Sequence, residues 1–336
     1  MKPIMMPLRT VLPRALAVAA LCLAAAGNAA AAADPAVKFP SKPMRIVVPF
    51  PAGGYSDALA RLIATDMSNA FGQPVVVENR PGAGGNIGAD VVAKSPPDGH
   101  TLVMGTIGTQ VVNPLIYRNI PYNATKDFSP VAFVADAETV LVVNPKVPAT
   151  TLTQVVALAK TRPNELTFAS GGTGTTSQLA GELFQSTAGV SMTHVPYKGN
   201  VPALSDLVGG QVAMSFATLA PALPFIKGGQ LVPIATLGKT RAQALPNTPT
   251  LAEAGLPGVE VRNWTGMLAP AGTPLPIREK LAMQVDRTMQ SPTVKTMLEA
   301  QELTYTRMGP DAFDGFIRAE SIKWKKVVDQ ANIRAE

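Results

Sequence analysis

Short apolar runs and amphipathic stretches alternate along the chain from Met44 onward. Met44–Phe50 (MRIVVPF) is a compact β-rich run that predicts a strand, and Pro51-Ala52-Gly53-Gly54 follows it. Leu59, Leu62, Ile63, Met67 and Phe71 then recur at helical spacing until Gly72 ends the pattern, with Ser56 or Asp57 expected as the N-cap. Pro74–Glu78 (PVVVE) predicts a second strand, the turn-rich segment Asn79–Gly88 a loop, Ala89–Lys94 a helix, and Thr101–Thr106 a third strand. Strand, glycine loop, helix, strand is the pattern of right-handed β-α-β units on a parallel sheet.

The middle of the chain repeats this logic with different residues. Val131–Val143 holds two strand-like runs, Leu152–Lys160 a helical pattern and Thr167–Ser170 a strand. Gly171–Thr176 forms a second Gly/Thr loop before a helix over Leu179–Ala188. A short strand at His194–Tyr197, a helix at Val201–Val208 and strands at Val212–Phe216 and Val232–Leu237 complete the set. Val259–Leu268 is strand-like; Pro276–Met289, Pro292–Gln301 and Pro310–Ala331 are helical. No repeat at a solenoid period is present. The β-α-β set of the middle third predicts a discontinuous layout: residues 34–138 with 262–336 as one lobe, and 139–261 as the other, so that the chain crosses twice.

Composition narrows the class. The 336 residues are 46% hydrophobic and 15% charged, enough for two domains with real cores and far from a disordered profile. The net charge of +6 first suggests nucleic acid, but three of the 29 basic residues and none of the 23 acidic ones lie in the first 33 positions. What remains is mildly basic and has no concentrated basic face; the Lys323, Lys325, Lys326 cluster reads as a solvated helix side, so no nucleic-acid partner is expected. The first 33 residues read as a secretory leader: Arg9 and Arg14, then an apolar stretch from Ala15 to Ala26, then Ala31-Ala32-Ala33 before Asp34. A retained membrane anchor is the alternative, though the stretch is short for a bilayer. The single cysteine, Cys22, follows Leu21 rather than a small residue, which argues against lipoprotein processing, and it leaves the mature chain cysteine-free. A soluble periplasmic protein without disulfides, cofactor or metal is the expectation.

Candidate chemistry is sparse. His100 and His194 are the only histidines and neither has a metal-ligand spacing; both are expected to hydrogen-bond structurally. No G-x-S-x-G elbow occurs, and Ser170 sits in Phe-Ala-Ser-Gly-Gly. Both glycine loops miss the last glycine of a dinucleotide fingerprint and no Walker lysine follows, so nucleotide binding is disfavoured. A smaller anion suits them better, because a helix N-terminus exposes unpaired N–H groups and about half a positive charge. Gly53 and Gly54 let a ligand approach one helix start, while Gly171–Ser177, with Ser170, Thr173, Thr175 and Thr176, repeats the arrangement. Tight turns packing helix on strand are the plain alternative. Arg61 lies one helical turn past Asp57, the spacing of a local ion pair.

Several ordered blocks resemble one family. Pro49–Gly54 with Asp57 and Ala60-Arg61, Val77–Gly85 (VENRPGAGG), Pro97–Leu102 (PDGHTL), Ser170–Thr175 (SGGTGT), His194–Gly199 (HVPYKG), Trp264, and Ala269–Pro274 (APAGTP) are similar to the Bug family. These are the TctC-like substrate-binding proteins of tripartite tricarboxylate transporters, and the resemblance spans the mature chain. It implies an α/β fold: a two-lobed periplasmic binding protein of type 2-like topology, with two Rossmann-like lobes joined by two crossing strands. It implies a monomeric receptor that closes on a small organic anion, commonly a carboxylate, and delivers it to integral-membrane transporter subunits. Carried over residue by residue, it implies ligand binding by Phe50, Ala52, Gly54, Tyr55, Ser56, Ser170, Gly172, Thr173 and Thr175, with Thr106 and Tyr197 as wall residues.

Two departures bear on the ligand. Tyr55 stands where a small residue is common, either lining the pocket or sitting as a surface aromatic at its mouth. Gly210–Thr218 (GQVAMSFAT) lacks the acids often found there, which favours a non-amino carboxylate over an amino acid. A sensory module for a membrane histidine kinase, and a periplasmic hydrolase using His194, are the alternative functions.

Overall fold

The computed structural model describes residues 1, 36–331 and 334, so the leader expected over residues 1–33 falls, Met1 apart, outside the described residues. The first half of the fold runs β1 (Met44–Val48), α1 (Tyr55–Phe71), β2 (Val75–Asn79), α2 (Asn86–Ala93) and β3 (Thr101–Thr106). A π-helical turn (Gly108–Val112) leads into α3 (Asn113–Ile116) and β4 (Phe128–Ala137). After β5 (Thr139–Val143) come α4 (Leu152–Thr161), β6 (Thr167–Ser170), α5 (Thr176–Ala188), β7 (Thr193–Pro196), α6 (Asn200–Gly209), β8 (Met214–Thr218), α7 (Leu219–Lys227) and β9 (Val232–Thr236). The chain ends through β10 (Asn263–Pro270), α8 (Leu275–Gln290), α9 (Pro292–Ala300), β11 (Leu303–Thr304) and α10 (Pro310–Ala331).

Two mixed sheets result, one ordered β11-β4-β10-β3-β1-β2 and the other β7-β6-β8-β5-β9. β1 pairs parallel with β2 and β3, and β6 parallel with β7 and β8, as β-α-β units require. The parallel expectation fails for β5 and β10. Each arrives from the other sheet and runs antiparallel to its neighbours, β8 and β9 in one case, β3 and β4 in the other. β4 and β5 are separated only by Glu138, so the chain changes sheets within one residue.

β1 is buried on both sides: Ile46 and Val48 pack with Leu59, Ile63 and Met67 of α1, whereas Val47 faces a second cluster with Val103, Phe133 and Trp264. That second cluster is continuous between the sheets. It joins Trp264, Phe313 and Trp324 to Leu141, Phe168, Leu179, Phe184 and Phe216. The long α10, laid on β4 and against α5, is the bridge. The two halves therefore share apolar packing on one side and separate on the other.

Two local expectations are corrected. α1 begins at Tyr55, and its N-cap is Gly54 rather than Ser56 or Asp57. Gly54 holds the extended N-cap conformation (φ −79°, ψ 164°), and the Asp57 carboxylate reaches back from the first turn to accept the Gly53 N–H at 3.1 Å. The strand expected from Val259 begins only at Asn263. Val259 and Val261 are buried, which makes the run look like a strand, but the chain there is crossing between sheets with no strand to pair.

Candidate functional site

A cavity of about 360 Å³ lies between the two sheets, on the side where the halves separate. One wall is built from Phe50–Ala52 and Gly54–Asp57 with Thr106 and Gly108; the other from Gly171, Thr175–Ser177, Lys198–Pro202 and Thr218; Asn263 and Thr139 of the crossing strands lie at its base. The first turns of α1, α5 and α6 thus line one space. None of the three helices has a side-chain cap. Among the other helices with a described N-cap, α4 with Thr151 and α9 with Ser291 have a side-chain cap and start elsewhere, and α2, α3, α7 and α8 have none. Uncapped first-turn N–H groups keep their hydrogen-bonding capacity for a ligand or water.

Each wall is held rigid from behind. Asp57 is nearly buried and takes hydrogen bonds from Gly53 N–H, Arg61 and Asn79. Burial works against its charge, but these partners outweigh burial and hold its carboxyl below the usual range. The Arg61–Asp57 pair (3.0 Å) is the one that the helical spacing predicts. Asn79 also donates to the Phe50 carbonyl (3.1 Å), tying the loop after β1 to the end of β2.

In the opposite wall, Ser170 Oγ lies 2.6 Å from His194 Nε2 and contacts both the N–H and the carbonyl of Gly172. His194 stacks on Phe168 with ring centres 4.9 Å apart, and burial pushes its pKa down to about 4. Thr175 Oγ1 donates to the Gly172 carbonyl (2.6 Å), and Ser177 Oγ accepts from Gly171 N–H (3.0 Å). The hydroxyls of this loop are largely spent on its own shape.

Of the residues singled out from sequence, Phe50, Ala52, Gly54, Tyr55, Ser56, Thr106 and Thr175 line the cavity. Ser170, Gly172, Thr173 and Tyr197 do not: Ser170 is fully buried beneath the loop, the Tyr197 hydroxyl donates to Asp206 (2.8 Å), and the Thr173 carbonyl accepts from Tyr117 (3.1 Å). Tyr55 is half-buried, and its hydroxyl donates to the Asn263 carbonyl at 3.0 Å. Asn263 is the node that pattern reading missed. Its amide oxygen accepts from Thr176 (2.9 Å) and its amide nitrogen donates to Thr218 (3.1 Å), so it links the two walls at the base. Thr176 and Ser177, named with the second loop, line the space as well, and so do Lys198 and Asn200, which pattern reading did not single out.

The halves touch at the rim. Added Cβ atoms on Gly84, Gly108 and Gly174 would lie 2.3 Å from the Thr173 carbonyl, 2.7 Å from the Gly174 carbonyl and 1.9 Å from Asn113 Oδ1 respectively. Each of these contacts joins the 171–175 loop to the first half, and only residues without a Cβ permit so close an approach.

A two-sheet α/β molecule with a cleft at the chain crossings, lined by the first turns of three helices, is the architecture of a solute-binding receptor. The profile described as tripartite tricarboxylate transporter family receptor, TctC, matches residues 59–333, and the chain belongs to that family. Protein BugT of Bordetella pertussis is 38% identical over 322 residues, covering 96% of this chain and 98% of BugT. Among solved structures, R. palustris Rpa4515 with adipate is 37% identical with a TM-score of 0.83, covering 88% of this chain and 99% of that one. MatC (Rpa3494) from Rhodopseudomonas palustris with bound malate is 34% identical with a TM-score of 0.82, covering 86% and 100%.

Proposed function

We propose that this protein is a periplasmic receptor that traps a small non-amino carboxylate in the cleft and hands it to the membrane subunits of a tripartite transporter. The observation that carries this reading is the convergence of three uncapped helix N-termini on one cavity. Each helix end contributes only ~0.3–1 kcal/mol at exposed sites, whereas micromolar affinity needs about 8 kcal/mol. Many hydrogen bonds in a closed, dry cleft are therefore required, with water bridging some of them. Phe50, Ala52, Gly54, Tyr55, Ser56, Thr106 and Thr175 form the proposed ligand walls, with Ser170, Gly172, Thr173 and Tyr197 shaping the second loop from behind.

The acceptor inventory supports an acid without an ammonium group. The one carboxylate in the lining, Asp57, is already engaged by Arg61, Asn79 and Gly53, and Thr218 stands where an acid would meet an amine. The malate and adipate bound by the two relatives fit this chemistry. The proposed lobes are 34–138 with 262–336, and 139–261; the change of sheet across Glu138 supports the first boundary. Both walls come from one chain, so a monomer suffices. The hydrolase alternative rests on His194, but its Nε2 is taken by Ser170 Oγ at 2.6 Å, and Ser170 is wholly buried, so no substrate carbonyl reaches that oxygen; we read the pair as a positioning contact.

Thermal-shift and calorimetric screening of carboxylates at neutral pH tests the reading. Because only the native state binds, a ligand at 100-fold over its Kd adds ~2.7 kcal/mol of stability. Gly54→Phe localises the site. Gly54 has φ −79° and an added Cβ meets nothing within 4 Å, so the bulky ring folds into open cleft. Binding is expected to vanish while the unliganded melting point holds; retained affinity would move the pocket elsewhere.

A further inference from the structure

We infer that Lys198 reads a second carboxylate on the ligand and makes the cleft selective for dicarboxylates over monocarboxylates of the same chain. The inference rests on the receptor reading above and deepens it. Of the side chains lining the cavity, only Asp57 and Lys198 carry charge. Asp57 is saturated by its three partners. Lys198 is exposed and, among the described residues, has neither an ion pair nor a hydrogen-bond acceptor.

Its backbone, by contrast, is fixed on both sides. Tyr197 N–H donates to the Ser170 carbonyl and Gly199 N–H to the Gly171 carbonyl, both at 3.0 Å. Gly199 faces Pro51 of the opposite wall, and its own Cβ would lie 3.5 Å from Pro51 Cγ. The backbone of Lys198 is thus held at a defined station on the wall facing the Phe50–Ala52 loop, with the side chain free to reach into the cleft it lines. No acid stands in the first turn of α6, and Asp206 further along that helix is hydrogen-bonded to the Tyr197 hydroxyl and makes no ion pair with Lys198. A cation beside a helix N-terminus is the unfavourable end for positive charge. An anion brought there relieves both. A ligand whose first carboxylate sits on the amides of α1 and α5 presents its second to Lys198; a monocarboxylate leaves that ammonium to water. Because Lys198 is exposed, a bond of this kind corresponds to about 2- to 5-fold in affinity while water reaches the ammonium, and to about tenfold where closure excludes water.

The experiment is calorimetry at pH 7 and low salt on wild type, Lys198→Met and Lys198→Arg. The probes are matched pairs that differ by one carboxylate: adipate and hexanoate, malate and 2-hydroxybutanoate, succinate and butanoate. Wild type is expected to prefer the dicarboxylate of a pair. In Lys198→Met that preference should fall by about 2- to 10-fold, and Lys198→Arg should restore most of it. Equal weakening of both members in Lys198→Met, or a wild type that binds the monocarboxylate as tightly as its partner, overturns the role of Lys198. A wild type that binds no member of any pair overturns the receptor reading itself.

Discussion

Gly108→Ala separates closure of the cleft from the folding of its walls. Gly108 lies in the π-helical turn after β3, and its φ is not in the left-handed region, so alanine fits the local backbone. Replacing glycine at such a position stabilises a chain by ~0.4–1 kcal/mol through the unfolded state. The new methyl, however, points across the rim. It would lie 2.7 Å from the Gly174 carbonyl of the other half, against an ordinary carbon–oxygen contact about 0.7 Å longer. The obstacle is backbone, so the loop itself must back away. In doing so it stretches the Tyr117 hydroxyl–Thr173 carbonyl bond, now 3.1 Å, whose net worth is about 1 kcal/mol. Overpacking of this kind costs ~1–3 kcal/mol.

The cost falls only on the closed arrangement, so apparent affinity drops with the closed population. Kd for the best carboxylate is expected to rise by about 5- to 150-fold, while the unliganded melting point stays level or rises. Calorimetry gives the first quantity and differential scanning the second; small-angle scattering should show less compaction on adding ligand. Gly108 also lines the cavity, so Tyr117→Phe, which does not, is the companion variant. It loses the rim hydrogen bond alone and should weaken binding about 2- to 10-fold. A Kd within twofold of wild type for Gly108→Ala, or no effect of Tyr117→Phe, would refute closure through this contact.

Two further outcomes follow from the crossing strands. Asn263→Ala removes the side-chain hydrogen bonds with Thr176 and Thr218 and leaves those two buried hydroxyls unpartnered, while the Tyr55 hydroxyl keeps the Asn263 carbonyl; urea unfolding should report a loss of about 1–3 kcal/mol, and an unchanged midpoint would deny the node its role. Glu138 lies between β4 and β5, accepts from Thr139 N–H (3.2 Å) and Gly238 N–H, and burial is the main cause pushing its pKa up to about 7. A raised carboxyl pKa means that the folded state keeps the proton, so its contribution is full below about pH 4.5 and is lost as pH rises through 7. Glu138→Gln cannot ionise, so its melting point should exceed that of wild type most at pH 8, and the gap should close towards pH 5; a pH-independent gap counts against the argument.

How much of this was legible depends on what a local pattern can encode. α1 and α10 are plain in the sequence because Leu59, Ile63 and Met67, or Phe313, Ile317 and Trp324, repeat at helical spacing and are buried as that spacing demands. α7 is not, because Pro221 and Pro224 sit inside Leu219–Lys227, and a proline-bearing apolar run reads as a loop. The loop after β1, singled out through Gly53-Gly54, does form one wall of the cavity, although the N-cap was misplaced. Asp57 has the side chain of a cap but serves from inside the first turn.

The second loop shows the deeper limit. Ser170, Thr173 and Thr175 look like ligand donors because a sequence lists hydroxyls without their partners. In the folded chain Ser170 is taken by His194, and Thr175 by the Gly172 carbonyl. Those bonds fix the loop so that the backbone ahead of α5 faces the cleft, which is why removing a hydroxyl there would act on geometry before it acted on contact. Asn263 was illegible for a different reason. Its partners Tyr55 and Thr176 lie 208 and 87 residues away, and only the return crossing of the chain brings them together. Lys198 did leave a trace: a lone cation directly before Gly199-Asn200, at a helix start with no acid in its first turn, is a charge without local compensation. A carboxylate of the ligand is the partner we infer for it, and of the two described cavities Lys198 borders only the cleft.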